Sequence, residues 1–87
     1  MATRESMETL MQQVEDAIRY AEDQYKDSSL QEHYNNDDYT KALQTLEETY
    51  QDIATMAHSA NSQQREQLHR MRLQIQQLQN NMILQGH

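Results

Sequence analysis

Residues 7–28 read METLMQQVEDAIRYAEDQYKDS, and this stretch carries the pattern that decides the fold class. Apolar or small residues recur at alternating intervals of four and three positions, at Met7, Met11, Val14, Ile18, Ala21, Tyr25 and Ser28. This heptad spacing is typical of a helix that packs one face against other helices. Leu10 and Ala17 widen the stripe, and a hydroxyl at Thr3 or Ser6 can cap the start. The pattern predicts a helix at about 4–29.

The same spacing returns further along the chain and predicts a second helix at about 37–59. Its seam consists of Tyr39, Leu43, Leu46, Tyr50, Ile53, Ala57 and Ala60, with Ala42 and Met56 widening the stripe. The segment Asn35-Asn36-Asp37-Asp38 precedes it and predicts a turn near 33–36, because Asn and Asp readily adopt turn dihedrals. Asp37 and Asp38 would then lie in the first helical turn, where the helix dipole favours negative charge.

A third seam, at Leu68, Met71, Ile75, Leu78 and Met82, predicts a helix at about 62–85. Its register is displaced by one residue from that of the second seam, so the two helices are either separated by a loop or joined with an irregularity. Asn61 or Ser62 as a cap favours the loop, whereas the lack of Gly and Pro leaves the continuous helix open. We therefore expect one all-α domain over residues 1–87, an antiparallel three-helix bundle. The alternative is a helical hairpin with a long fused second helix that dimerises.

Composition excludes several classes of protein. The chain has no Cys, no Pro and one Gly, which excludes disulfide scaffolds, thiol catalysis and Gly-rich phosphate loops. Leu, Ile, Val and Phe account for only 13 of 87 residues, a share low enough to raise the possibility of disorder. Their placement on seams argues instead for a thin folded core, which makes a dimer plausible. A homo-oligomer or a protein partner is therefore expected.

The termini and the apolar runs predict a cytoplasmic protein that does not enter membranes. Arg4, Glu5 and Glu8 interrupt the region where a signal peptide needs an apolar core. The longest uninterrupted apolar run, Met82-Ile83-Leu84, is far shorter than the ~20 residues that span a bilayer.

Charge is divided unevenly along the chain. Residues 1–60 contain 13 acidic and 4 basic residues, whereas residues 61–87 contain Arg65, Arg70 and Arg72 against Glu66. The favoured interpretation is a basic helix that docks against two acidic ones, with a basic partner for the acidic face as another possibility. A nucleic-acid-binding helix is disfavoured because the net charge of −7 opposes approach to phosphates.

No residue pattern indicates a catalytic, cofactor or metal site. Glu66 and His69 have the Glu-x-x-His spacing of di-iron bundles, but those proteins use the motif twice with two further Glu residues. A cation site at Glu32, His33, Asp37 and Asp38 lacks the Gly and the ligand spacing of a calcium loop. We expect no catalytic residues, no cofactor and no metal, and hence no enzyme.

Three apolar residues of the third helix lie off its seam: Leu73, Ile83 and Leu84. The surrounding Gln residues carry no charge, and uncharged polar groups are easier to bury than ionised ones. These three residues are therefore predicted to form a partner or dimer surface.

The segments Gln31-Glu32-His33-Tyr34-Asn35, 65–74 (REQLHRMRLQ) and Asn80-Asn81-Met82-Ile83-Leu84 resemble the YtzC-like family of small uncharacterised proteins from Bacillus-type bacteria. The resemblance implies a short helical cytoplasmic protein and provides no active-site residues. It is consistent with a non-catalytic role in protein–protein interaction or regulation.

The alternative function is a regulator of phosphorelay proteins with phosphatase-type activity. The segment Ser29-Leu30-Gln31-Glu32-His33 is the nearest match to the Ser-Gln-Glu-Leu-Asp signature of small aspartyl-phosphate phosphatases, but it lacks the Asp.

Overall fold

A computed structural model describes residues 2–30 and 36–85 of the chain. Three helices make up this part: α1 (Arg4–Leu30), α2 (Asn36–Ala57) and α3 (Ser62–Gln85). They pack into a three-helix bundle with principal extents of 46 × 19 × 15 Å, and α1 packs most extensively against α2. The predicted all-α fold class is confirmed.

Hydrogen bonds between helix ends establish the direction of each helix. The backbone N–H of Ala2 donates to the carbonyl of Ser59, so α1 begins where α2 has just ended. The Tyr39 hydroxyl donates to the Met82 carbonyl at 2.6 Å, which places the start of α2 beside the end of α3. The Gln64 side-chain amide donates to the Ala2 carbonyl at 3.0 Å. Consecutive helices are therefore antiparallel.

Two reciprocal caps begin α1 and α3 at the same end of the bundle. Thr3 Oγ1 accepts a bond from the Ser6 backbone N–H, and Ser6 Oγ accepts one from the Thr3 N–H, both at 3.0 Å. Asn61 Oδ1 accepts from the Gln64 N–H at 2.8 Å, and Gln64 Oε1 accepts from the Asn61 N–H at 3.0 Å. Each pair satisfies two N–H groups that a helix start leaves without partners. Thr3 and Asn61, both predicted as possible caps, occupy the cap positions.

The predicted alternative, in which the second and third helices are fused, is wrong, because the chain leaves the helical path between α2 and α3. The N–H groups of His58, Ser59 and Ala60 bond to carbonyls three residues earlier, which tightens the end of α2 into a turn. This tightening ends α2 at Ala57, two residues before the predicted end at 59. The Asn61 cap then starts a new helix in a new register.

The core consists of one stripe from each helix, spaced alternately by three and four residues. The stripes are Met7, Leu10, Val14, Ala17 and Ala21 in α1, Tyr39, Ala42, Leu46, Thr49 and Ile53 in α2, and Leu68, Met71, Ile75, Leu78 and Met82 in α3. The α3 stripe is the predicted seam.

In α1 and α2 the buried stripe is rotated around the helix axis from the predicted seam. Met11, predicted on the seam, is 41% exposed, whereas Leu10 and Ala17 are buried. Ala42 is likewise buried and Leu43 only partly so. Small Ala side chains let two helix backbones approach closely, so they occupy the interface and larger neighbours move to its edge.

Thr49 is a buried polar residue that no apolar pattern could predict. Its hydroxyl donates to the Thr45 carbonyl at 2.8 Å, which satisfies it within its own helix. The predicted turn near 33–36, the side chain of Ser28 and His87 lie outside the described residues. No helix within 2–30 and 36–85 has both the length and the apolar character needed to cross a bilayer.

Candidate functional site

The outer surface of α3 changes character at Leu73. Residues 62–72 include Arg65, Glu66, Arg70 and Arg72, whereas no Asp, Glu, Lys or Arg occurs from 73 to 85. The buried stripe runs through both halves without interruption. The C-terminal half of α3 therefore combines an ordinary core face with an outer side that has no formal charge.

Leu73, Gln76, Gln77, Asn80, Asn81 and Leu84 share the side of α3 opposite its buried stripe, and we call them the uncharged face. The first five line a shallow depression of about 500 Å³. Leu84 follows Leu73 by eleven residues, about three helical turns, which returns it to nearly the same side. Leu73 is 51% and Leu84 72% exposed, so both predicted partner-surface residues are accessible.

Ile83, the third predicted partner-surface residue, is exposed but lies off the uncharged face. Consecutive helical residues are rotated by about 100°, so Ile83 faces a different side from Leu84. It lies in line with Arg72, the side nearest α2. The structure thus brings two of the three predicted residues onto one face and separates the third.

Two neighbouring Gln residues also lie off the uncharged face. The Gln79 amide donates to the Glu47 carboxylate of α2 at 3.1 Å, and Gln74 lies within the groove between α1 and α3, whose outer edge Gln77 and Asn81 form. Gln77 and Asn80 remain between the two leucines. The sequence did contain this signal, because Leu73, Gln77, Asn80 and Leu84 are spaced by four, three and four. Our sequence reasoning missed Asn80 and Asn81 because it followed only apolar residues and Gln.

Arg72 marks the boundary of the charged half and is held against α2. Its guanidinium carbon lies 5.0 Å from the centre of the Tyr50 ring, and Nη2 donates to the Tyr50 hydroxyl at 3.0 Å. Such a cation–π contact stabilises the Arg side chain without a carboxylate.

The predicted docking of a basic α3 against two acidic helices does not use ion pairs between helices among the described residues. Among the described residues, no carboxylate oxygen lies within 4.0 Å of the Arg65 or Arg72 guanidinium, and Arg70 pairs within its own helix with Glu66 at 3.0 Å. The apolar stripes and the Tyr50 contact connect the helices instead.

An open groove of about 630 Å³ lies between α1 and α2. Glu5 and Asp52 line it together with several hydroxyls, and a smaller depression beside it adds Asp16 and Glu48. The hydroxyls of Thr3 and Ser6 within the groove are engaged in capping α1. The groove is acidic and solvent-exposed, a surface rather than a water-excluding pocket.

The candidate metal-ligating residues do not converge. Glu66 is paired with Arg70, and His69 is exposed beside it. Within the described part of the chain, no three His, Asp or Glu side chains are grouped closely enough to hold an ion. Glu32 and His33 of the predicted loop cluster lie outside the described residues, so that prediction cannot be compared with the fold.

Comparison with known proteins places the chain in a family. Residues 1–84 match the family described as "Protein of unknown function (DUF2524)". The chain is 53% identical over 85 residues to the uncharacterised protein YtzC of Bacillus subtilis (strain 168), an alignment that covers 98% of this chain and 94% of that protein. No solved structure matches the chain. The resemblance inferred from the sequence is confirmed, and the chain belongs to the DUF2524 family of proteins of unknown function.

Proposed function

We propose that this protein is a non-catalytic interaction protein that contacts its partner through the uncharged face of α3. One observation carries the proposal: exposed large apolar side chains coincide with residues 73–85, a helical segment that has no charged residue. Single exposed leucines are ordinary on protein surfaces. Their combination with uncharged amides is typical of a contact surface, where ionised groups are costly to desolvate.

Folding does not explain this composition. The buried stripe of α3 already supplies its contacts with α1 and α2, and it continues through both halves of the helix. Leu73 and Leu84 lie opposite that stripe, where a Lys or Glu would serve the fold equally well. Burying a Leu side chain contributes about 1.5–3 kcal/mol. A partner that covers both leucines therefore adds a free energy of burial that the isolated bundle does not have.

Capture experiments with Leu73→Glu and Leu84→Glu test the proposal. Each substitution introduces a charge within the contact, and we expect loss of proteins retained from a Bacillus subtilis lysate by the immobilised wild-type chain. Met11→Glu is the matched control, because Met11 is also an exposed apolar residue but lies on α1. Circular dichroism should show unchanged helicity for all three variants. Equal capture by wild type and both α3 variants would contradict the proposal.

The proposal also implies that the protein does not catalyse dephosphorylation. Phosphate release from a phosphorylated response regulator should proceed at the same rate with and without the protein. A rate increase that a single polar substitution abolishes would instead support the phosphatase-type alternative.

A further inference from the structure

We propose that the partner of the uncharged face is a second copy of the same chain, paired with it through antiparallel α3 helices. This inference rests on the proposed function and names the occupant of the same surface. Three properties of the face support it: its spacing, its lack of charge and the chemistry of its amides.

The spacing of the face reads the same in both directions. Leu73, Gln77, Asn80 and Leu84 are separated by four, three and four residues. When two such helices lie antiparallel, Leu73 of one copy lies opposite Leu84 of the other, and Gln77 lies opposite Asn80. A two-fold contact requires a surface that is complementary to itself, and this order of residues provides one.

Charge explains why two copies of an acidic protein can meet at this surface. The chain carries a net charge of −7, so most face-to-face contacts between copies bring like charges together. Residues 73–85 contribute no formal charge to that repulsion. The nearest acidic side chains are Glu22, which lines the groove beside Gln77 and Asn81, and Glu47, which accepts a bond from Gln79. The acidic groove between α1 and α2 is lined by residues of those helices and lies away from the uncharged face.

Charge is also compatible with the antiparallel direction. Arg72 contacts Tyr50 on the side nearest α2, so Arg70 is the Arg residue that adjoins the uncharged face, where it pairs with Glu66 of its own helix. Parallel pairing would place the Arg70–Glu66 pairs of the two copies side by side. Antiparallel pairing about the centre of the face separates the two Arg70 positions by about 26 Å along the helix axis, beyond the ~8–10 Å over which charges interact in physiological salt.

The amides and the depression of the uncharged face also allow two copies to fit together. Gln and Asn each offer a donor and an acceptor, so Gln77 of one copy and Asn80 of the other can bond in either direction. The depression of about 500 Å³ lined by Leu73, Gln76, Gln77 and Asn80 can receive Leu84 of the second copy. The face spans only about 17 Å of helix, less than a standard interface requires, so we expect a reversible dimer with a Kd between roughly 10 μM and 1 mM.

Disulfide trapping tests both the partner and the direction. The chain has no Cys, so Leu73→Cys and Leu84→Cys each carry a single thiol. One variant is labelled with ¹⁵N, and the two are mixed in equal amounts and oxidised. Antiparallel pairing predicts mixed disulfides well above the one-half share that random collision gives, and little dimer from either variant alone. A mixture of Met11→Cys with Leu73→Cys is the control, expected to give no excess of mixed disulfide.

Three results would overturn the inference: same-position disulfides in excess, a random distribution, or no disulfide dimer. These results are distinguishable from failure of the proposed function. If trapping fails while Leu73→Glu still abolishes capture of another protein, only the second copy is wrong as the occupant. If capture is also insensitive to Leu73→Glu and Leu84→Glu, the uncharged face is not an interaction surface.

Discussion

The two halves of α3 share one buried stripe but present different outer surfaces. Before Leu73 the outer residues include Arg65, Glu66 and Arg70, whereas after it they are Gln, Asn and exposed apolar residues. The bundle needs the same stripe from both halves, so its packing cannot account for the difference. We propose that the difference reflects contact with another protein.

The largest difference in stability is expected between substitutions on the inner and the outer side of the C-terminal half of α3. Ile75 is fully buried, so Ile75→Ala should lower the free energy of unfolding by about 2–5 kcal/mol through lost burial and a cavity. Leu73→Ala, two residues away on the uncharged face, should change it by less than about 0.5 kcal/mol. Urea unfolding followed by circular dichroism measures both. Similar losses for the two variants would show that the outer side belongs to the core.

The end of the C-terminal half is anchored by Tyr39. Tyr39→Phe removes the buried hydrogen bond to the Met82 carbonyl and should cost about 1–2 kcal/mol. Hydrogen exchange should accelerate most at amides near the end of α3. Tyr20→Phe serves as the control, since Tyr20 packs partly buried at the edge of the core, and should cost less than about 0.5 kcal/mol. An unchanged stability of Tyr39→Phe would contradict the anchoring role.

The start of the N-terminal half depends on its cap. Asn61→Ala removes the side-chain bond to the Gln64 N–H and should cost about 1 kcal/mol, whereas Asn61→Asp keeps an acceptor and should be nearly neutral. If α2 and α3 were one continuous helix, Asn61→Ala would stabilise the protein, because Ala is the best helix former. Thermal unfolding of the three proteins therefore distinguishes the two architectures by the sign of the change.

Substitution of Arg72, at the boundary between the two halves of α3, should have the smallest effect on stability. Arg72→Ala removes the contacts with Tyr50 and should lower stability by about 0.5–1 kcal/mol. Arg65→Ala should be neutral, since no described carboxylate pairs with Arg65. Equal effects of the two substitutions, measured by urea unfolding, would show that the Tyr50 contact contributes nothing specific.

The sequence predicted the bundle because seam spacing and capping residues are local signals. Leu68 through Met82 lie buried as the spacing required, and Asn61 caps α3 as one of two candidates. The rotation of α1 toward Leu10 was not predictable, since a stripe with apolar residues at both 10 and 11 fits two registers. The neighbouring helix decides between them through close packing of Ala side chains.

The candidate site was only partly predictable, for a related reason. Leu73 and Leu84 could be recognised as off-seam residues from spacing alone. The rotation of about 100° per residue also separates Ile83 from Leu84, but only the packed structure shows that this other side is the one nearest α2. The contact between Arg72 and Tyr50 joins residues 22 positions apart. No pattern within a single helix indicates such a contact, so it could not be predicted from the sequence.

A dilution series followed by ¹H–¹⁵N NMR tests the central claim, that the uncharged face is a contact surface for a second copy. Between about 1 mM and 10 μM, which is the range of Kd expected for a small interface, amide shifts should change at Leu73, Gln77, Asn80 and Leu84. The amides of α1 should remain constant. Shifts that do not depend on concentration, or that change only along the groove between α1 and α2, would contradict the account.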